Sequence, residues 1–216
     1  MDPSQRPASR RPLPLITAAL VTVLGVLFVL LPGPEPLAYH AVKVSAGEVW
    51  RLVTAHLVHA DPAHLAWNAL GLAVLGMLIE RQDRALLLAG FGIGMLAVSA
   101  LLLSPLSSLI QYCGLSGVLN SLLVVALFVE WRKGSRTPVL LVTAASLAKL
   151  AWELTQQDSL ITQISWSPYP ASHAAGMLGG LLVLGFCSGM HRHQRIGSQT
   201  HHPAEFLAAD CNRSTG

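Results

Sequence analysis

Apolar positions in this chain fall into long uninterrupted blocks, and the polar positions fall between them. Six blocks stand out, at about 13–31, 62–80, 85–103, 113–131, 138–157 and 173–190. Each is near the roughly 20 residues that an α-helix needs to cross the hydrocarbon core of a bilayer. The pattern predicts an all-α membrane protein built as one six-helix bundle. Residues 1–12 would form a short N-terminal segment, 13–190 the membrane domain, and 191–216 a polar, disordered tail.

The basic residues then orient the bundle. Arg6, Arg10 and Arg11 precede the first block, Arg81 and Arg84 follow the second, and Arg132, Lys133 and Arg136 follow the fourth. Arg192 and Arg195 follow the sixth, whereas the alternate loops carry only Lys43 and Arg51. Because Lys and Arg concentrate on the cytoplasmic side, both termini are expected in the cytoplasm. Trp131 near the inner boundary, and Trp50 and Trp166 near the outer one, suit interfacial anchors. The first block is read as a retained helix, since PGPEPLAYHA offers no small-x-small cleavage site.

Composition adds little. The chain is 52% hydrophobic and 12% charged, against roughly 25% charged in soluble domains. A net charge of +3 follows from the loop asymmetry and implies no nucleic-acid partner. Cys113 and Cys187 should differ in depth by about 21 Å, too far for a disulfide.

Depth singles out a few polar residues. In HADPAHLAWNALGL, Asp61 can cap the second helix with Pro62 in its first turn, which places His64 and Asn68 four apart on one face near the outer end. Ser116 opens the fourth helix and His173 the sixth. A hydroxyl, two imidazoles and an amide therefore converge at one level from three separate segments. A serine becomes a nucleophile when a base takes its proton, and the anionic intermediate needs donors such as Asn, His or backbone N–H groups. Asp61 and Asp158 look like cap and loop residues, so no carboxylate is assigned to orient the base, and the arrangement reads as a Ser–His dyad. Gly114 and Gly117 flank Ser116, and Gly176 and Gly180 follow His173 with the spacing that lets membrane helices approach closely.

Together, EVWR (48–51), HxxxxHxxxN (His59, His64, Asn68), GLSG (114–117) and HxxGxxxG (His173, Gly176, Gly180) resemble the rhomboid intramembrane serine proteases. WRLVTAHLVHADPAHLAWN, YCGLSGVLN and AKLAWE (148–153) are most similar to the short bacterial rhombosortase branch. The resemblance implies Ser116 as nucleophile, His173 as general base, Asn68 and His64 as oxyanion donors, His59 as a supporting residue, and no cofactor or metal. It implies a bacterial inner membrane, a site facing the periplasm, and single-pass substrates with a C-terminal Gly-rich, transmembrane and basic tail. Many rhomboids carry an aromatic residue one turn after the nucleophile; here Asn120 stands there, and its amide is expected to reach His173. General rhomboid proteolysis of other transmembrane substrates, and non-catalytic binding of membrane clients, are the alternatives.

Lys149 and Glu153 form an i,i+4 pair inside the fifth block. They are read either as readers of the substrate's Gly-rich region or as a neutralised pair within the bundle. Ser45 and Glu48 have capping-box spacing, which predicts a short interfacial helix with Arg51 reaching headgroups or loop carbonyls. His40 and His56 are read as loop residues. A zinc protease would need HExxH or an equivalent, and HLVH (56–59) lacks the glutamate.

Overall fold

A computed structural model describes residues 13–156 and 169–199. In chain order the elements are α1 (Leu15–Leu30), β1 (Tyr39–His40), α2 (Ala41–Ser45), α3 (Arg51–Thr54), α4 (Pro62–Glu80), α5 (Arg84–Leu103), β2 (Gln111–Tyr112), α6 (Ser116–Arg132), α7 (Arg136–Gln156) and α8 (Pro170–Gln199). The six expected blocks correspond to α1, α4, α5, α6, α7 and α8. Trp166, Asp158, the segment 1–12 and the tail from 200 onward lie outside the described residues.

Among the described residues three helices, α4, α5 and α7, are long and apolar enough to cross a membrane; α1 and the Pro170–Phe186 part of α8 are apolar but shorter. Of the six expected spans, α4, α5 and α7 reach that length among the described residues, and the apolar stretches of the others are shorter. The shortening has local causes. Pro14 stands at the N-cap of α1, and α6 starts at Ser116 rather than 113 because Tyr112 pairs with Tyr39 and Gly114 turns the chain at φ +110°. At the other extreme α8 continues to Gln199, past the expected start of the tail.

The bundle is built around α6, which buries Gly117, Val118, Ser121, Leu122, Val125, Ala126 and Val129. A helix apolar on every side belongs in the interior, and α6 packs against α4, α5 and α8. Leu72, Ile79, Leu87, Val118, Leu122, Val125 and Val183 form the core with it. On α7, by contrast, only Val139 and Glu153 are buried.

Glycines set the helix spacing. A Cβ on Gly176 would overlap the carbonyl of Gly117, and one on Gly180 would lie 2.7 Å from the Ser121 carbonyl. The close approach expected of this pair is present, and a second contact joins it: Gly179 meets Gly94 of α5, where a Cβ would lie 3.3 Å from Gly94 Cα.

At the end carrying β1 and β2, Arg51 is buried. Its Nη1 donates to the carbonyls of Glu35 (2.9 Å) and Ala38 (2.7 Å), and its Nε donates to Glu48 Oε2 at 2.6 Å. Loop carbonyls are therefore its partners. The capping box is corrected: Ser45 ends α2 and donates to Ala41 O at 3.0 Å, because Glu48 is engaged by Arg51. Trp50 is half exposed, as an interfacial anchor would be.

Candidate active site

Ser116 takes the first position of α6 and His173 the first turn of α8. The backbone contact of Gly176 with Gly117 brings these two turns together. His173 Nε2 lies 3.0 Å from Ser116 Oγ, within hydrogen-bond reach of a base on a nucleophile. The other ring nitrogen, Nδ1, lies 2.9 Å from Glu153 Oε2 on α7. Glu153 is 2% exposed, and its second oxygen accepts from Lys149 Nζ at 2.6 Å. This overturns the expectation that no carboxylate orients the imidazole. The Lys149–Glu153 pair follows from helix spacing, but that spacing alone does not show that the inner oxygen faces α8.

The face of α4 supplies the next groups. Asp61 caps α4, its side chain accepting from the His64 N–H at 2.8 Å, with Pro62 in the first helical position. His64 and Asn68 are both buried and abut the turn before Ser116: a Cβ on Gly114 would come within 2.5 Å of the His64 ring and 3.6 Å of Asn68 Nδ2. With φ at +110° as well, this position excludes a side chain on two independent grounds. Asn68 Nδ2 is buried without a hydrogen-bond partner. A donor left so costs about 1–3 kcal/mol, and such an exception calls for a functional explanation.

Asn120 departs from expectation. Its Nδ2 donates to the Ser116 carbonyl at 2.9 Å, one turn back on its own helix, so the amide is spent on the backbone and not on His173.

A layer of loop residues braces the turn. The Gly114 N–H donates to Ala55 O at 2.9 Å, and Tyr112 Oη donates to Gly114 O at 3.1 Å. His56, expected to be a loop residue, is fully buried, edge-on to Tyr112 at 5.7 Å, with Nε2 3.2 Å from Ser99 Oγ. Because the Ser99 hydroxyl donates its one proton to Leu52 O at 2.7 Å, the imidazole is the donor to it. His56 thus ties α3 to α5 behind the site. His59 packs edge-on against His64 at 5.0 Å and supports it. Burial lowers the pKa of His56 to about 4. Burial, followed by the neighbouring His64 imidazole, lowers that of His59 to about 3. Both are neutral at pH 7. Cys113, adjacent to the turn, is a buried free thiol that burial pushes up to about 12, so it offers no thiolate to compete with Ser116.

His56 was missed because nothing in the spacing HLVH distinguishes a buried brace from a solvated loop side chain. The buried Ser99 that receives it, in the middle of an apolar block, was the available signal. Among the described residues, no group of three or more His, Cys, Asp or Glu side chains is placed to hold a metal. The arrangement offers a hydroxyl on an imidazole, that imidazole on a carboxylate, and an unpartnered amide donor nearby.

The Rhomboid domain family model matches residues 46–190, which include every residue of this cluster. No curated protein matches the chain. The chain belongs to the rhomboid family of intramembrane serine proteases and is a multi-pass membrane protein.

Proposed function

We propose that this rhomboid-family chain is an active serine endopeptidase of a bacterial inner membrane, with six membrane-crossing helices, both termini in the cytoplasm and a site at the periplasmic face. The observation that carries the reading is the 3.0 Å approach of His173 Nε2 to Ser116 Oγ. In the reaction, Ser116 Oγ attacks the scissile carbonyl as His173 takes its proton. The tetrahedral oxyanion accepts hydrogen bonds from Asn68 Nδ2, the His64 ring and the Ser116 N–H, which as the first N–H of a helix has no intrahelical partner. Collapse of the intermediate expels the amine, which receives the proton back from His173. Water, deprotonated by the same imidazole, then releases the acyl group and restores the serine.

The substrate class we assign is the exported protein that ends in a Gly-rich motif, one transmembrane helix and a basic cluster, as the likeness to rhombosortases in WRLVTAHLVHADPAHLAWN, YCGLSGVLN and AKLAWE implies. The test is a reporter carrying such a tail, co-expressed with the wild type, Ser116→Ala or His173→Ala. Cleavage on the periplasmic side of the tail helix by the wild type alone is the expected result. Cleavage of unrelated single-pass reporters at the same rate would give the enzyme the broader specificity of general rhomboids. No cleavage of any reporter and no labelling by a fluorophosphonate would make it a client-binding protein.

A further inference from the structure

We propose that Glu153 is a positioning residue that makes His173 a competent base, completing a Ser116–His173–Glu153 relay in which Lys149 anchors the carboxylate. The proposal rests on the serine-protease reading above and adds to its dyad a third residue.

A neutral imidazole carries one N–H, and an ionised carboxylate can only accept. With Nδ1 at 2.9 Å from Glu153 Oε2, the proton belongs on Nδ1, and the Nε2 lone pair is left facing the Ser116 hydroxyl at 3.0 Å. That is the tautomer able to take the serine proton. Once Nε2 is protonated, the same carboxylate faces a cation and stabilises it, with no proton passing to Glu153.

The surroundings support this role over a simple ion pair. Lys149 and Glu153, one turn apart, would satisfy each other on the outside of a helix, yet the two side chains are 33% and 2% exposed respectively. Glu153 is turned inward, towards α8, while its lysine stays at the edge. The ammonium occupies Oε1 at 2.6 Å and leaves Oε2 alone for the imidazole. Relay members thus come from three helices. The carrier of the third, α7, buries only Val139 besides Glu153, and the bond to His173 ties the site end of that helix to α8.

The experiment uses the full-length protein in detergent and measures inactivation by a fluorophosphonate, separating the maximal rate from the half-saturating concentration. Glu153→Gln keeps size and shape but lacks the ionised acceptor. It is expected to lower the maximal rate about a hundred- to ten-thousand-fold with the half-saturating concentration within about twofold of wild type. Glu153→Asp, which retains the charge with a shorter reach, is expected to recover at least about tenfold of that loss, and it carries the test should the glutamine variant not fold. In a His173→Ala background, Glu153→Gln is expected to change the residual rate by less than about twofold, since Glu153 acts only through the imidazole. A Glu153→Gln rate within about threefold of wild type, or an equal loss in the His173→Ala background, overturns the positioning role and leaves the dyad standing. A folded wild type that neither labels nor cuts any reporter overturns the relay and the protease reading together.

Discussion

Among the described residues two glutamates are buried, at opposite ends of this bundle, and their partners differ in kind. Glu80, 1% exposed at the end of α4, accepts from the backbone N–H groups of Ile16 (3.0 Å) and Thr17 (2.8 Å) and from the Thr17 hydroxyl (2.8 Å), with Arg84 Nε at 3.5 Å. It is the anion at the N-terminus of α1, where orphan donors and the helix dipole favour negative charge. Glu153 is held instead by two side chains that can each release a proton, Lys149 and His173. The first carboxylate is satisfied by groups that do no chemistry, and it joins α1 to α4 permanently. The second is satisfied by groups whose protons can move. Burial alone would rank the two alike; the identity of the partners separates a rivet from a working part.

Substitutions at the two ends of the bundle test that contrast. The largest effect expected is at the reacting pair: Ser116→Ala and His173→Ala should each reduce reporter cleavage by about 10⁴-fold or more, with thermal stability in detergent nearly unchanged. Asn68→Ala should follow, with kcat lowered about 10²–10³-fold (roughly 2.7–4 kcal/mol) and KM little altered; a raised KM at constant kcat would assign Asn68 to substrate binding. Glu80→Ala should show the opposite signature, losing about 2–4 kcal/mol of stability from several orphaned donors while the folded fraction labels at the wild-type rate. A slow-labelling but stable Glu80→Ala would erase the distinction between the two glutamates.

The smallest effect concerns acid. His56 and His59 stay neutral in the fold down to about pH 4 and 3, whereas in the unfolded chain they take up protons near 6.5. The unfolded state therefore binds more protons below pH 6.5. Stability should be full above that value and decline as pH falls towards 4 and 3, by up to about 1.4 kcal/mol per pH unit for each group. Melting temperatures between pH 7.5 and 4.5 would show it, and His56→Gln should flatten part of the slope.

The sequence made some parts of this site legible and hid others, for physical reasons. Helix positions follow from apolar blocks, because the bilayer demands length and hydrophobicity of each span. Ser116, His173, His64 and Asn68 were legible because each stands near a helix end, where one capping or turn signal fixes its depth. Asp61 and Pro62 did this for α4. Glu153 was legible as an oddity within its block, but its partner was not, since helix periodicity fixes a face only relative to its own axis. Asn120 was misassigned for the related reason that a nearby backbone carbonyl competes for a short amide. Glu80 was missed because a charge at the end of an apolar block looks like a solvated terminus, and the N–H groups it meets, those of Ile16 and Thr17, lie far away in sequence.

The contact of Gly176 with the Gly117 carbonyl has a mechanical consequence. Where two helices touch backbone to backbone, there is no compressible side-chain layer between them, and the contact acts as a fulcrum. Changes in bilayer thickness are accommodated largely by helix tilt, and rotation about a fulcrum displaces points in proportion to their distance from it. Ser116 and His173 sit within one turn of this pivot, while the C-terminal ends of α6 and α8 lie several turns away. The nucleophile–base separation should hold steady across membranes of different thickness, with the strain of tilting exported to the far ends of the lever.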